Sequence, residues 1–316
     1  MTPLDLISVL ASTVRLAVPL ILAALAGLCS ERAGIVALGL EGLMLAGAFA
    51  AGAVAALTGS PWAALAAAML VGVFVALFHG YACIAQRGDQ VISGMALNIL
   101  IGGLVPVLGQ AWFGQGGQTP ALGPGARFMP ATLPGGDGFG LVWRGLISGH
   151  NLLVYATAAL LPALVWLLYS TRFGLRLRAV GENPHAVDAA GLSVARLRYL
   201  ALALCGALTG IAGAYLAIAE NAGFTRDMTA GRGYLALAAL IFGKWRPLGA
   251  TAACLLFALT DALQLRLQGV ALPVVGIVPV QFVEALPYLL TVFLLAGFVG
   301  TARAPAALGR PFVKTR

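Results

Sequence analysis

The sequence predicts an all-α, polytopic transmembrane helical bundle of about nine crossings, within a range of eight to ten. Three observations predict it: 60% of the 316 residues are hydrophobic, only 9% are charged, and the mean hydropathy is +0.95. A soluble domain carries about 25% charged residues, and one so poor in charge would expose a large apolar surface. Disorder is excluded too, because it requires low hydrophobicity and high charge.

Apolar runs separated by charged residues, glycine and proline mark the crossings, since a transmembrane helix takes about 20 apolar residues. A polar, Gly/Pro-rich stretch at 114–148 follows the fourth run, and a charged segment at 171–198 follows the fifth. All runs belong to one membrane domain, 1–316. The predicted spans are 7–29, 34–57, 61–84, 91–112, 151–170, 199–219, 233–243, 248–265 and 283–302.

The positive charges predict the orientation, because Lys and Arg accumulate on cytoplasmic loops. If the run 233–243 crosses, 13 of the 19 Lys and Arg residues lie on the side of the 171–198 loop; otherwise only 8 do. The first arrangement places 171–198 and the C-terminus in the cytoplasm, with the N-terminus and the 114–148 loop outside. The net charge of +8 is therefore interpreted as a topology signal rather than as a nucleic-acid binding surface.

The short run 233–243 predicts a broken helix. Eleven helical residues rise about 16 Å, roughly half of the ~30 Å hydrocarbon core. The crossing must therefore include part of the polar stretch 220–232, and irregular backbone at that depth is tolerated only inside protein or beside water. Glu31-Arg32-Ala33-Gly34 and Gly231-Arg232-Gly233 open their runs in similar ways, so an inverted repeat beside a substrate path is one interpretation.

Glu41 is the first candidate for lining that path. A carboxylate inside a bilayer costs at least ~2.5 kcal/mol, so it needs polar partners or water. It either accepts hydrogen bonds from a polar solute or forms an interhelical contact that fixes the packing. The neighbouring Gly39 allows close helix approach under both interpretations.

Four further residues are candidates for the same path. Asn98 and Ser93 lie in the fourth span, where Asn98 could instead link helices. Asn221 and Phe224 belong to the broken-helix region, for which a solvated loop is the alternative. No cluster of Cys, His or carboxylates predicts a metal site, and the four scattered cysteines are expected to be buried thiols.

The 171–198 loop carries helix signals. Asn183 is a good N-cap, Pro184 suits the first helical position, Gly191 suits the C-cap, and Ser193 can cap the next helix. The sequence predicts a short helix between two membrane helices, a shape suited to docking a partner. An ordinary anchored basic loop is the alternative.

Two nucleotide motifs are rejected. Gly231-x-Gly233-x-x-Ala236 follows no strand, and Gly243-Lys244 lacks the other residues of a phosphate loop. No ATP site and no catalytic set is evident, so the chain is expected not to be an enzyme. An ion-driven transporter would need titratable groups at mid-depth, where only Glu41 qualifies.

Three ordered blocks of the sequence form a recognisable set. They are Glu31 to Gly42, Gly181-Glu182-Asn183-Pro184 followed by Ala189-Ala190-Gly191, and Gly233 to Ala238 with Ile241 to Trp245. Together they resemble the permease subunits of ABC importers for nucleosides and related simple sugars. The first block resembles the family signature ER-G-(V/I)-N-GLEG, although Ala37 stands where that signature has Asn.

The resemblance implies a permease subunit in a bacterial inner membrane, with nucleosides as the expected substrate and simple sugars, branched-chain amino acids or a vitamin as alternatives. It implies a cytosolic ATPase that holds ATP and Mg²⁺, a second permease chain (related or identical) and an external solute-binding lipoprotein. It also implies a coupling helix that docks on the ATPase, although Asp188-Ala189-Ala190-Gly191 matches the general Glu-Ala-Ala motif only loosely. The expected coupling residues are Glu182, Asn183, Pro184, Asp188, Ala189, Ala190 and Gly191.

Overall fold

Ten α-helices follow one another in the part of the chain that the computed structural model describes, residues 3–131, 148–267 and 303–314 with isolated positions at 271–272, 276–277, 285, 289 and 292. They are α1 (Pro3–Arg32), α2 (Leu40–Thr58), α3 (Pro61–Gly80), α4 (Gln90–Phe113), α5 (Leu152–Ser170), α6 (Arg172–Glu182), α7 (Pro184–Ala189), α8 (Val194–Tyr215), α9 (Arg232–Phe242) and α10 (Pro247–Leu267).

Shorter elements extend or join these helices. Five-residue π-helical turns continue α3 over Tyr81–Ala85 and α8 over Leu216–Glu220. A 3-10 turn covers Pro124–Ala126. Two antiparallel strand pairs of two residues each are β1 (Pro130–Ala131) with β2 (His150–Asn151) and β3 (Ala271–Leu272) with β4 (Gly276–Ile277).

Seven helices are long and apolar enough to cross a membrane, which agrees with the predicted bundle. They are α1, α2, α3, α4, α5, α8 and α10. The crossing predicted at 233–243 corresponds to the short helix α9. The one predicted at 283–302 lies almost entirely outside the described residues, as does the 132–147 part of the predicted external loop.

The helix boundaries differ from the predicted spans in two places. The run predicted at 34–57 becomes helical only at Leu40, because the chain turns over residues 33–39. The 171–198 loop holds α6 as well as the predicted short helix α7. Thr171 caps α6 by accepting a hydrogen bond from the Gly174 N–H, and Leu177 and Val180 bury the apolar face that makes this segment helical.

The core lies around α8, which is buried along most of its length between α1, α2 and α3. Close approach of the backbones depends on glycine. A Cβ on Gly206 would lie 2.3 Å from the Gly72 carbonyl oxygen, and one on Gly210 would lie 2.3 Å from the Ala68 carbonyl oxygen. Small residues at helix contacts are the usual basis of tight packing between membrane helices. All four cysteines are buried and free, as predicted.

The bundle has two ends. The basic end comprises residues 32–39, 81–89, 171–193 and 303–314, and the loop end comprises residues 58–60, 114–131 and 148–151. Residues 33–39, which join α1 to α2 at the basic end, are called the hinge, and residues 303–314 the tail.

We expect Gly210→Ala to destabilise the protein by about 2 kcal/mol, because its added methyl group would collide with the α3 backbone. The matched control is Gly102→Ala in α4, where a Cβ meets nothing within 4 Å. The measurement is thermal unfolding of both purified variants in mild detergent. Equal melting temperatures for the two variants would contradict the proposed role of the α3–α8 contact.

Candidate functional site

The hinge reverses the chain through a set of local hydrogen bonds. The Gly34 N–H donates to the Glu31 carbonyl at 2.9 Å, with Gly34 in the left-handed region at φ 86°. The Glu31 side chain accepts from the Ala37 N–H at 3.2 Å and from the Trp245 indole N–H at 2.5 Å. The Arg32 guanidinium donates to the Trp245 carbonyl. The first sequence block therefore joins the hinge to the start of α10.

Glu41, in the first turn of α2, binds the N-terminus of α9. Its Oε1 accepts from the Gly231 N–H at 2.8 Å, and its Oε2 accepts from the Gly233 N–H at 2.7 Å. The first N–H groups of a helix lack partners within the helix, and the helix dipole favours an anion there. Among the described residues, no Lys or Arg forms an ion pair with this carboxylate.

Glycine at position 233 is required by this contact. A Cβ there would lie 2.5 Å from the Glu41 amide nitrogen and 2.7 Å from its Oε2. Any side chain would therefore push α9 away from α2 and break both hydrogen bonds.

Asn98 of α4 joins the same cluster. Its Oδ1 accepts from the Gly42 N–H at 2.8 Å, and its Nδ2 donates to the Leu38 carbonyl and to the Tyr234 hydroxyl, both at 2.9 Å. Asn98 thus links α2, α4 and α9. The cluster of Glu41, Asn98, Gly231, Gly233 and Tyr234 is called the mid-depth site.

The helix lengths place this site near the middle of the bundle. Asn98 lies eight residues into α4, about 12 Å from the basic end where α4 begins, and α4 continues to a total rise of about 36 Å. The α9 helix reaches the basic end after 11 residues, a rise of about 16 Å. These estimates put the cluster between a third and a half of the way along the rise of α4 from the basic end.

The mid-depth site is partly exposed on the side of the bundle. Tyr234 is 45% exposed, and Glu41 and Asn98 are half-buried. Exposed polar side chains at this depth are costly in contact with lipid, since hydrocarbon offers them no hydrogen bonds. The arrangement therefore fits a surface that faces water or another protein chain.

The non-helical segment 221–231, which precedes α9 in the chain, forms hydrogen bonds with residues of the loop end. The Phe224 N–H donates to Thr119 Oγ1 at 2.8 Å, and the Thr119 N–H donates to the Phe224 carbonyl at 3.1 Å. The Phe224 ring is buried against Phe49, which stacks on Trp112. Protein groups thus satisfy part of this irregular backbone, as the broken helix predicted at 220–243 requires.

The structure gathers some predicted path residues and separates others. Gly39 is the N-cap of α2, beside Glu41 and Asn98. Ser93 bonds instead to buried His79 of α3 at 2.9 Å, and Asn221 donates to the Leu216 carbonyl at the end of the π turn. Phe224 packs at Gly52, eleven residues along α2 from Glu41. A role in a substrate path stays a prediction for all six residues.

The predicted helix signals at the basic end are confirmed. The Asn183 side chain accepts from the Ala186 N–H at 3.1 Å and Pro184 is the first residue of α7. Gly191 has a left-handed φ of 78°, and Ser193 caps α8 through the Arg196 N–H. Five of the expected coupling residues are exposed: Glu182, Asn183, Ala189, Ala190 and Gly191.

Sequence reasoning missed two residues of these sites. Tyr234 occurred only inside a sequence block, and nothing local indicates that its hydroxyl meets Asn98, 136 positions away. Arg198 was counted as one of several loop arginines, yet its side chain is buried and donates to the Ala33 carbonyl at 3.2 Å. A buried arginine can be recognised only once its long-range partners are known.

Comparisons with known proteins agree on one family. The family model described as branched-chain amino acid transport system / permease component matches residues 9–295. The guanosine ABC transporter permease protein NupQ of Bacillus subtilis is 36% identical, with 98% of this chain and 99% of that protein covered. The nucleoside ABC transporter permease protein NupC of Lactococcus lactis is also 36% identical, with 94% of each covered.

A solved structure shares the fold. A metal-chelate type ABC transporter in an inward-facing conformation aligns with a TM-score of 0.52, covering 93% of this chain and 87% of that one. The sequence identity is 17%, so the likeness concerns the fold alone.

We expect Glu41→Gln to lower stability by about 1–3 kcal/mol, because an amide leaves one N–H of α9 without an acceptor and removes the charge facing the helix dipole. Asp227→Asn, an exposed acidic residue near the same helix, is the control and should change stability little. Thermal unfolding in detergent measures both. A Glu41→Gln variant as stable as Asp227→Asn would show that the carboxylate charge does not hold α9.

Proposed function

The chain belongs to the family of branched-chain amino acid transport permease components, and from that premise we propose that it is the membrane-spanning subunit of an ATP-driven importer for nucleosides. The observation that carries the proposal is the mid-depth site: a carboxylate, an amide and a phenol gathered halfway through an apolar bundle and open on one side. Such groups suit a polar solute crossing between two protein chains.

A second permease chain, related or identical, covers the exposed side of the mid-depth site in this proposal. Lipid hydrocarbon offers no hydrogen bonds to the exposed polar groups of Tyr234 and Asn98. A facing protein surface or a water-filled path therefore has to lie beside them. Transport would then follow the boundary between the two permeases. The remaining exposed apolar faces, such as those of Ile99 and Phe74, suit contact with membrane lipid.

The basic end faces the cytoplasm in this proposal, with α7 as the helix that docks on the ATPase. Support comes from the exposed residues of the α6–α7 segment and from the excess of positive charge at this end. ATP and Mg²⁺ bind to that ATPase, while the substrate arrives at the loop end from a solute-binding lipoprotein.

Nucleosides are the proposed substrates on two grounds. Two relatives that are 36% identical over nearly their whole length are a guanosine permease and a nucleoside permease. The Tyr234 ring also offers an exposed aromatic face, held in place by the Asn98 bond to its hydroxyl, on which a planar base can stack.

The first test is co-purification of the tagged chain with its ATPase in mild detergent. We expect the ATPase to be retained by the wild type and lost when residues 182–191 are replaced by a Gly/Ser linker. Ala189→Asp tests the same surface with one exposed substitution, and Ala121→Asp, exposed at the loop end, is its control. Retention of the ATPase by both the linker and Ala189→Asp variants would contradict the assignment of α7.

The second test is ATP-dependent guanosine uptake by the complete transporter in proteoliposomes. We expect Tyr234→Leu to lower uptake at subsaturating guanosine about tenfold, because stacking of a base on an aromatic ring is worth about 1–3 kcal/mol. Tyr234→Phe keeps the ring and is the matched control, with a loss of only the hydroxyl bond. Equal rates for the two variants would reject stacking, and absence of uptake by the wild type would reject the nucleoside proposal.

A further inference from the structure

The tail packs on the α6–α7 segment. The Ala307 N–H donates to the Gly181 carbonyl at 2.8 Å, and the Ala306 N–H donates to the Glu182 carboxylate at 3.3 Å. Beyond these bonds, the Phe312 ring lies 5.2 Å from the His185 ring of α7. The tail therefore follows α6 and α7 from the end of one helix across the other.

The last residues of the tail reinforce this contact. Lys314 Nζ lies 3.9 Å from Asp188 Oδ1. The Phe312 side chain packs against a small apolar core, separate from the main one, at the junction of α6, α7 and α8. This core consists of Val180, Val187, Val194 and Leu197.

The same tail also contacts the hinge. The Gly309 N–H donates to the Gly34 carbonyl at 3.3 Å, and a Cβ on Gly34 would lie only 3.1 Å from the Ala307 carbonyl oxygen. Arg198, at the start of α8, donates to the Ala33 carbonyl of the hinge through Nε and to the Arg310 carbonyl of the tail through Nη1. The tail thus bridges α7 and the hinge, with a buried arginine between them.

We propose that the tail is a positioning element that ties the coupling helix α7 to the hinge, so that movement of α7 is passed to α2 and to Glu41. The inference rests on the proposed function, because it takes α7 as the point where the ATPase acts. Only Leu40 separates the hinge from Glu41, the second residue of α2. A shift of the hinge therefore changes the position of the carboxylate that holds α9.

Two features make the tail suited to this task. It forms backbone hydrogen bonds with Gly181, at the end of α6 next to α7, and with Gly34 of the hinge, whereas an exposed ion pair such as Lys314 with Asp188 contributes little by itself. The Arg198 side chain is buried with its bonds directed to both the hinge and the tail, so a shift of either would remove a hydrogen bond from this buried guanidinium.

The test compares the reconstituted transporter containing the wild-type chain with three variants: a chain ending at residue 302, Phe312→Ala, and the control Val313→Ala, whose side chain is 48% exposed. The measurement is guanosine transported per ATP hydrolysed. We expect truncation and Phe312→Ala to retain the ATPase but lower this ratio about fivefold or more, as a lost coupling between two sites does. Val313→Ala should match the wild type.

Amide hydrogen exchange of the hinge gives a readout that needs no substrate. We expect the peptide covering residues 33–39 to exchange faster in the truncated chain and in Phe312→Ala than in Val313→Ala. Unchanged exchange and an unchanged transport ratio in both variants would overturn the proposal. Loss of the ATPase on truncation would also overturn it, because the tail would then be part of the docking surface.

The two proposals fail in different ways. If the wild-type transporter moves guanosine and the truncated one moves it equally well per ATP, only the positioning role of the tail is rejected. If the wild type moves no guanosine, the nucleoside proposal is rejected, and the hinge exchange still decides whether the tail restrains residues 33–39.

Discussion

The carboxylate of Glu41 holds a helix that begins in the middle of the bundle, and much of the surrounding structure serves this contact. A helix starting at a surface can leave its first N–H groups to water, but α9 begins at mid-depth and needs an acceptor there. Glu41 supplies two acceptor oxygens, at 2.8 and 2.7 Å, and the helix dipole in turn stabilises its charge. These hydrogen bonds thus offset the free-energy cost of placing the Glu41 charge inside the bundle. They also offset the cost of starting α9 there, where its first N–H groups would otherwise lack acceptors.

This constraint explains several neighbouring residues. Gly233 leaves room for the carboxylate, and the hinge brings Glu41 into the first turn of α2 at the correct height. Asn98 then binds α2 through Gly42 and the hinge through Leu38, and it orients the Tyr234 hydroxyl. The carboxylate therefore fixes the packing of two helices, while its contact with a transported solute stays a prediction.

The fold and the mid-depth site were predictable from the sequence to different extents. Hydropathy and helix length identify the long spans and show that 233–243 is too short, because these are local properties of each segment. The caps at Asn183 and Ser193 follow from local chemistry in the same way. The bond between Asn98 and Tyr234 and the separation of Ser93 from Asn98 depend on how helices pack, which no local pattern encodes.

The same distinction applies to the basic end. Charge counting identifies it as a basic surface, yet the charges there have different roles: Arg198 is buried between two carbonyl groups while Lys314 remains exposed. The hinge is held by Glu31, which bonds both Ala37 and Trp245 of the α9–α10 turn, by Arg198 of α8 and by Gly309 of the tail. Since α2 continues directly from this hinge, these contacts set the position of Glu41, and through it the start of α9. A continuous path of hydrogen bonds therefore connects the surface of the basic end with the polar centre of the bundle.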